Sequence, residues 1–194
     1  MRKLLLLLLL TPVLTLAQLR DSVKIHAGIY EAIYSEKLES PIWIKYTVLC
    51  PNGTASRAGM DFYTNDSVKT SSNEDYVKNE WDKGHLAPAA DFNCDKVMLY
   101  KTFSYLNCAL QNQYLNRGVW KMLEIQEREW AQTQPVTVII EVVFDKTSPK
   151  LSTGATIPAG FKKTIYLEKT KKVHKYYFPN TAPTKEKYTD YEVK

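Results

Sequence analysis

Residues 81–92 read WDKGHLAPAADF and contain His85, one of the three histidines of the chain. His85 follows a glycine and precedes a short apolar segment that contains Pro88, as at the end of a strand that exposes one side chain. Histidine titrates near neutral pH and is the commonest general base for the activation of water. A single histidine is more often structural than catalytic, so His85 needs partners elsewhere in the chain.

Residues 115–132 combine apolar and charged side chains with the period of an amphipathic helix, which Pro135 would end. Asn116, Trp120 and Glu124 are spaced four residues apart, and a drift of about 40° per step keeps them on one helix face. A face with an amide, an indole and a carboxylate is unusual for a purely structural helix. Taken alone, these residues favour a simpler alternative, in which Asn116 caps the helix, Trp120 fills the core and Glu124 meets solvent.

Taken together in chain order, these residues resemble the signature of the DNA/RNA non-specific endonucleases, the endonuclease G-like members of the ββα-metal (His-Me finger) nucleases. That signature runs Asp-Arg-Gly-His before an Ala-Pro segment, then an Asn and a Pro-Gln pair, then Asn, Trp and Glu on a helix. The matching positions are residues 82–88 (DKGHLAP), Asn107, Gln111, Asn116, Trp120 and Glu124. Residues 56–62 (SRAGMDF) resemble the segment that supplies the active-site arginine, here Arg57, and residues 176–180 (YYFPN) resemble a strand that closes the domain. The likeness covers most of the chain beyond residue 17.

The resemblance implies one divalent ion, Mg²⁺ or alternatively Mn²⁺, held by the amide oxygen of Asn116 and otherwise by water and substrate phosphate. It implies that His85 is the general base that activates water and that Arg57 binds the phosphate. Glu124 would orient metal-bound waters, and Asn107 would help to hold His85 in place, through its backbone carbonyl. The implied reaction is hydrolysis of DNA and RNA to 5′-phosphate products, and the implied partners are the phosphate backbones of both nucleic acids.

Two positions depart from the signature. Lys83 stands where the family has arginine, which retains the charge but loses the rigid fork of donors. Residues 109–111 (ALQ) replace the more usual Ser/Thr-Pro-Gln, so the local loop geometry is expected to differ. Neither change removes a reacting group. We assign Asp82 to the local hairpin rather than to the chemistry, and Trp120 to packing.

The order of the elements favours an α+β fold. Apolar, β-branched stretches predict strands, and the polar residues 65–79 predict a loop. The strands are expected at residues 42–49, 136–144, 164–168 and 173–178. They mix with the helix without regular βαβ alternation, which is typical of an α+β domain. The resemblance adds a specific architecture, a ββα-metal nuclease fold with a central, mostly antiparallel sheet flanked by helices.

Residues 1–17 have the layout of a secretory signal peptide, with a basic start, an apolar run over residues 4–10 and a Thr-Leu-Ala end. We therefore expect a secreted or periplasmic protein with a single endonuclease domain over residues 18–194. No later stretch has the length and apolarity of a transmembrane helix, so no membrane anchor is expected. The residues from about 181 are polar and are expected to form a tail that lacks the final helix of many relatives.

Net charge and cysteine content say less about the function of the chain than the signature residues do. Without the two basic residues of the signal peptide, the formal net charge falls from +5 to +3, which is compatible with a polyanionic substrate. Six lysines crowd into residues 162–175, and such a run is more often a solvated face than a phosphate-binding strip.

The chain has three cysteines, Cys50, Cys94 and Cys108, of which one pair can bridge in an oxidising compartment. We predict Cys94 with Cys108, which closes a modest loop around the signature region.

The sequence lacks the motifs of several enzyme classes. The sequence has no phosphate-binding Gly-rich loop, no G-x-S-x-G elbow and no paired C-x-x-C zinc motif, and its three histidines are far apart. Two alternatives to the endonuclease remain: a catalytically silent nuclease-fold protein that binds nucleic acid, and a metal-dependent phosphodiesterase of small nucleotides. The presence of His85, Asn116, Glu124 and Arg57 together favours the endonuclease.

Overall fold

The computed structural model describes residues 19–194. The predicted signal peptide, residues 1–17, lies outside the described residues. Within them, no helix combines the length and the apolarity that a bilayer span requires.

The described residues form eight strands in two sheets. The strands are β1 (Val23–His26), β2 (Tyr30–Ser35), β3 (Ser40–Thr47), β4 (Trp81–His85), β5 (Cys108–Asn112), β6 (Val136–Val143), β7 (Gly160–Leu167) and β8 (Lys172–Pro179). Six of them form one antiparallel sheet in the order β1-β2-β3-β6-β7-β8. The four predicted strands correspond to β3, β6, β7 and β8, whereas the sequence pattern does not predict β1 and β2. The α+β fold with a central antiparallel sheet is confirmed.

One face of the large sheet is buried because its strands alternate apolar and polar residues. In β6, Val136, Val138, Ile140 and Val142 are buried, and the residues between them are partly or fully exposed. Burial of a side chain of this size stabilises the fold by about 1.5–3 kcal/mol. This face carries the main hydrophobic core, which Leu115 to Leu123 of the helical segment before β6 complete from the other side.

The smaller layer is an antiparallel hairpin of β4 and β5, followed directly by a helical segment. That segment consists of α2 (Gln113–Leu115), an irregular turn (Asn116–Trp120) and α3 (Lys121–Ala131). A further helix, α1 (Lys96–Lys101), lies in the connection between the two strands. Two strands and a helix that follow each other in this way form the ββα unit, which carries most of the predicted site residues.

The helix predicted over residues 115–132 is not continuous. Gly118 has a non-helical backbone conformation, with φ −101° and ψ −119°, and it separates α2 from α3. After this kink Trp120 turns into the core, where it is fully buried between two aromatic rings of the sheet at centroid distances of 5.4 and 5.6 Å. The kink thus separates Asn116 from Trp120 and Glu124. Trp120 and Glu124 remain one helical turn apart, and the Trp120 side chain is close enough to Glu124 to act against the rise of its pKa. The assignment of Trp120 to packing is correct.

Helix α3 docks on the sheet through a buried ion pair. Lys163 of β7 and Glu127 of α3 are both fully buried, and Nζ lies 2.8 Å from Oε1. The Tyr46 hydroxyl donates to the other carboxylate oxygen of Glu127 at 2.8 Å. Lys163 Nζ also lies 4.0 Å from the centroid of the Trp120 ring. Each charge of the pair is thus balanced by a neighbour, as burial of charged groups requires.

The lysines of residues 162–175 do not form one strip. Neighbouring residues of a strand point to opposite faces, so Lys162 faces outward where Lys163 faces the core. Lys162 and Lys175 lie on the outer face beside Tyr177, and the sheet separates them from α3. The remaining three lie at the turn between β7 and β8: Lys169, Lys171 and Lys172. The structure does not support this run as a continuous phosphate-binding surface.

The disulfide found among the described residues joins Cys50 and Cys94, whose Cα atoms are 5.4 Å apart. The predicted pairing of Cys94 with Cys108 is wrong. Cys108 begins β5 and is buried as a free thiol, with Sγ 3.2 Å from the Tyr76 hydroxyl. The strand carries Cys108 into the core, whereas the loop after β3 brings Cys50 back to Cys94.

Asn180, directly after β8, joins the large sheet to the hairpin. Its side-chain nitrogen donates to the carbonyls of Leu110 and Pro158 at 3.0 Å each, and its side-chain oxygen accepts from the N–H of Asn112 at 2.8 Å. The chain beyond it is polar, as the sequence predicts, but it returns to the core. Tyr191 is buried there, and its ring stacks on an aromatic ring of β8 at 4.9 Å.

Candidate active site

Two adjoining cavities, of about 320 and 430 Å³, form a groove beside the hairpin and the helical segment. Both cavities are lined by Arg57, Lys83, Asn116 and Arg117. The smaller cavity is lined in addition by His85, Lys121, Glu124 and Arg128. The structure therefore brings together four of the five predicted site residues, and Asn107 is the exception.

His85 is the last residue of β4, and Asn107 holds the chain directly after it. The backbone carbonyl of Asn107 accepts a hydrogen bond from the N–H of Leu86 at 3.0 Å. Its side chain accepts from the N–H of Ala87 at 2.7 Å and donates to the carbonyl of the same residue at 2.9 Å. Asn107 is fully buried. It thus supports the backbone next to His85, and its carbonyl is hydrogen-bonded to Leu86 rather than to the imidazole.

Gly84 allows the two strands of the hairpin to approach each other below the groove. A Cβ at this position would lie 2.5 Å from Oε1 of Gln111, which is fully buried. Any larger residue would displace that side chain and shift the end of β4. Gly84, the glycine of the signature, therefore helps to position His85, because the lack of a side chain lets β4 and β5 pack closely.

The imidazole of His85 lies against two aromatic rings. The ring centroids are 4.6 Å from Phe62 and 4.9 Å from Phe103. Among the described residues its Nε2 atom has no hydrogen-bond partner, and it is buried. Burial, and to a lesser extent the positive charge of Arg57, lower the pKa of His85 to about 3. The imidazole is therefore neutral at physiological pH and able to accept a proton.

The side-chain amide of Asn116 is oriented by Asp82. Nδ2 of Asn116 donates to Oδ2 of Asp82 at 2.9 Å, and the same carboxylate accepts two hydrogen bonds from Arg117, at 2.8 and 2.6 Å. An amide that is held through its nitrogen presents its oxygen, which is the atom that a hard cation binds. Asp82 therefore belongs to the site and not to the hairpin alone. No local pattern signalled this role, because strand alternation places Asp82 and His85 on opposite faces of β4.

The residues of the groove fit a hydrated ion better than a fully dehydrated one. Within residues 19–194, no group of three or more His, Cys, Asp or Glu side chains is arranged to hold a metal. Asn116 and Glu124 line the same cavity, and this small donor set suits Mg²⁺, which keeps several waters. Burial raises the pKa of Glu124 to about 7, against the opposing effect of the Lys163 charge.

Arg57 reaches the groove from an exposed loop. Its guanidinium carbon lies 5.3 Å from the centroid of the Phe103 ring, which also packs against His85. One aromatic side chain therefore contacts both the predicted base and the predicted phosphate ligand.

Lys121 and Arg128 are cationic residues of the groove that the sequence analysis missed. They lie three residues before and four residues after Glu124 on α3, and this helical spacing is the signal that could have identified them. Arg128 donates to the buried carboxylate of Asp91 at 2.9 Å. With Arg57, Lys83 and Arg117, they place positive charge around the groove, as binding of phosphate groups requires.

A family model described as DNA/RNA non-specific endonuclease matches residues 17–194. Among curated proteins, the chain is 34% identical over 101 residues to the mitochondrial nuclease EXOG of Danio rerio, a match that covers 50% of this chain and 29% of that protein. It is 31% identical over 110 residues to the mitochondrial endonuclease G of Bos taurus, covering 54% of this chain and 36% of that protein. The matches thus span about a third of the length of these relatives.

The fold is also found among solved structures. A chain in the crystal structure of the EndoG/EndoGI complex, in which EndoG is inhibited, superposes with a TM-score of 0.78. The superposition covers 91% of this chain and 81% of that chain, at 23% sequence identity. At this identity the likeness concerns the fold, and it agrees with the ββα-metal architecture that the sequence predicts.

Proposed function

The chain belongs to the DNA/RNA non-specific endonuclease family, and on this premise we propose that it is a metal-dependent endonuclease that hydrolyses phosphodiester bonds in DNA and RNA to 5′-phosphate products. The observation that carries the proposal is the groove in which His85, Asn116, Glu124 and Arg57 lie together. A neutral imidazole surrounded by cationic side chains is suited to the hydrolysis of a polyanionic ester.

In the proposed reaction, His85 takes a proton from the attacking water as the general base. The low pKa of the free imidazole makes it a weak base, but a bound phosphate offsets the charge of Arg57 and so raises that pKa. Arg57 donates hydrogen bonds to the phosphate oxygens as negative charge develops on them. The contact of both side chains with Phe103 supports their cooperation at one phosphate.

The proposed ion is Mg²⁺, with Mn²⁺ as the alternative, held by Oδ1 of Asn116 and by waters that Glu124 orients. When bound, the ion supplies Lewis-acid stabilisation of the charge on the reacting phosphate and on the leaving 3′ oxygen. Asp82 keeps the amide of Asn116 turned so that its oxygen stays free for this role.

Low sequence specificity follows from the kind of contact that the groove offers. Contacts of Arg57, Lys83, Arg117, Lys121 and Arg128 with phosphates carry no information about the bases. Such contacts are present in DNA and RNA alike, so both polymers are proposed substrates.

The proposal includes export from the cytoplasm, to the periplasm or the medium. The sequence of residues 1–17 supports it, and so does the Cys50–Cys94 bridge, because disulfides persist in oxidising compartments. The two curated relatives are mitochondrial proteins, so this location is not taken from them. N-terminal sequencing of the native protein tests the idea: a mature chain that begins near residue 18 supports export, and an uncleaved chain in the cytosol contradicts it.

A plasmid-nicking assay with Mg²⁺ tests the activity. The wild-type protein is expected to nick the plasmid, EDTA to abolish nicking, and His85→Ala to lower kcat by about 10²–10⁴-fold, the usual contribution of a general base. Lys172→Ala is the matched control, since this exposed lysine is the first residue of β8 and lines neither cavity, and its loss should leave the rate unchanged. Nicking that survives EDTA or His85→Ala would contradict the assigned roles.

The choice of substrate separates the endonuclease from its two alternatives. Plasmid DNA, a long RNA and a dinucleotide ester are compared at equal phosphate concentration. Cleavage of all three is expected. Cleavage of the dinucleotide alone would identify a small-nucleotide phosphodiesterase, and binding of the polymers without cleavage would identify a catalytically silent binding protein.

A further inference from the structure

Arg57 lies in a segment that has no regular structure of its own. No helix or strand is formed between Val48 and Phe62, and residues 56–59 are exposed. Within this exposed part the hydrogen bonds are local, from the N–H of Met60 to the carbonyl of Arg57 at 3.1 Å and from the N–H of Ala58 to the Ser56 hydroxyl at 3.2 Å. The position of Arg57 therefore depends on how the two ends of the segment are held.

The end before Arg57 is held against residues 91–94. The N–H groups of Leu49 and Cys50 donate to the carbonyl of Asp91 at 3.1 and 2.9 Å, and the N–H of Ala55 donates to the carbonyl of Asn93 at 2.9 Å. The Asn93 side chain donates back to the carbonyl of Gly53, at 2.9 Å. The Cys50–Cys94 bridge closes this contact covalently.

The end after Arg57 is held against a different part of the chain. The N–H of Tyr63 donates to the carbonyl of Phe103 at 2.9 Å, and the N–H of Tyr105 donates to the carbonyl of Tyr63 at 3.0 Å. The segment is thus held at both ends, and only the end before Arg57 is held covalently, by the Cys50–Cys94 bridge. Arg57 lies seven residues beyond Cys50.

Residues 91–94 are themselves part of the framework of the groove. They directly follow residues 88–90, which line the smaller cavity together with His85. The carboxylate of Asp91 binds Arg128, which lines the same cavity. A bond from Cys50 to Cys94 therefore ties the loop of Arg57 to the wall that carries the proposed base.

We propose that the Cys50–Cys94 bridge is a positioning element for Arg57, which holds the guanidinium at the distance from His85 that the cleavage step needs. This inference rests on the proposed function, in which Arg57 binds the reacting phosphate. The two cysteines line neither cavity of the groove and act through Arg57. A displacement of a catalytic group by about 1 Å can lower a rate by about a hundredfold, so loss of the bridge affects kcat before it affects binding.

A double-mutant cycle measures whether the bridge acts through Arg57. The Cys50→Ser/Cys94→Ser variant is expected to lower kcat on plasmid by about ten- to a hundredfold, with KM changed by less than about threefold. In an Arg57→Ala background the same two substitutions are expected to lower the residual kcat by less than about twofold, because the group that the bridge positions is already absent. Equal losses in both backgrounds would overturn the inference, since they indicate a general structural effect.

The variants are compared at a temperature at which circular dichroism shows each of them to be folded. Reduction of the wild-type bridge provides the same comparison without any substitution. The remaining thiol, Cys108, is buried and takes no part in the bridge. Reduced wild-type protein is therefore expected to reproduce the kcat of the serine variant, and a reduced protein with full kcat would contradict the inference.

Limited proteolysis tests the positioning independently of nuclease activity. Trypsin cleaves after Arg57, and the rate of this cleavage reports how often the exposed loop leaves its folded position. Loss of the bridge is expected to raise the rate after Arg57 by about tenfold, and to leave the rate after Lys171, in the turn before β8, within about twofold. An unchanged rate after Arg57 would refute the inference even if the protein is a nuclease. A wild-type protein that never nicks refutes the proposed function instead, and the proteolysis rates then still show whether the bridge holds the loop.

Discussion

The two sides of the groove are held in different ways. The side formed by the ββα unit carries His85 at the end of a strand and Asn116 in a helical turn, and Asp82 fixes the amide of Asn116 by a hydrogen bond. The opposite side is a loop without regular structure that carries Arg57. The proposed base and the proposed amide ligand, whose orientation matters, thus stand on rigid elements, whereas the proposed phosphate-binding charge stands on a loop held at its ends.

The largest expected effect comes from loosening the rigid side. Asp82→Ala removes the acceptor that holds Nδ2 of Asn116, so the amide is free to rotate away from the proposed metal position. Loss of such a supporting contact is expected to raise the Mg²⁺ concentration for half-maximal nicking by about ten- to a hundredfold. A Mg²⁺ titration of the nicking rate measures the change, and high Mg²⁺ is expected to restore most of the rate.

Arg117→Ala is the control for this experiment, because Arg117 is the other partner of the Asp82 carboxylate. It leaves the hydrogen bond between Asp82 and Asn116 in place and should move the Mg²⁺ requirement by less than about threefold. If Asp82→Ala leaves the Mg²⁺ requirement unchanged, Asn116 does not depend on Asp82, and the two sides of the groove differ less in rigidity than their hydrogen bonds suggest.

A smaller effect is expected from Phe103, which contacts both sides. Phe103→Leu removes the ring between His85 and Arg57 and admits water to the imidazole. Burial lowers the pKa of His85, so hydration raises it toward its ordinary value. The protonated imidazole cannot act as a base, and a raised pKa therefore moves the acid limb of the kcat/KM profile to higher pH.

The rate at neutral pH should fall by about tenfold in the same variant, because Arg57 also loses its support. The pH–rate profile and an NMR titration of His85 measure the two consequences together. An acid limb that stays in place, or moves to lower pH, would show that the aromatic rings do not set the pKa of this histidine.

The smallest effect is expected from the cationic rim, where contacts with the substrate are exposed. Lys121→Ala should raise KM a few-fold and reduce the slope of log affinity against log salt by about one, the change for one lost phosphate contact. Lys172→Ala should leave the slope unchanged, since Lys172 lines neither cavity of the groove. Binding measured at several salt concentrations tests both, and equal slopes for the two variants would remove Lys121 from the proposed substrate path.

The residues of the proposed site could be selected from the sequence because each is set by its local element. His85 ends a strand next to a glycine, and Asn116 and Glu124 belong to one helical segment, so the motif identified them as candidates even though the kink at Gly118 was not anticipated. Strands β6 and β7 were predicted from their apolar, β-branched composition. Trp120 was assigned to packing, and the structure agrees.

Contacts between distant segments could not be predicted. Asp82 lies 34 residues before Asn116, and its role appears only when the hairpin meets the helix. The partner of Cys94 depends on the path of the loop after β3, which no local pattern determines. The opposite directions of Lys162 and Lys163 were predictable once both are placed in a strand, but the burial of Lys163 depends on Glu127, a residue of another element.

The ion pair between Lys163 and Glu127 also fixes the position of α3 along the large sheet. A slide of α3 along the sheet by one turn, about 5.4 Å, would leave two charges unbalanced in the interior, at a cost of several kcal/mol for each. Glu124 lies less than one turn before Glu127 on α3. The contact of Glu127 with Lys163 of β7 therefore fixes how far Glu124 projects into the groove. No strand of the large sheet lines either cavity, yet the sheet sets the position of α3 and, through α3, the position of Glu124 in the groove.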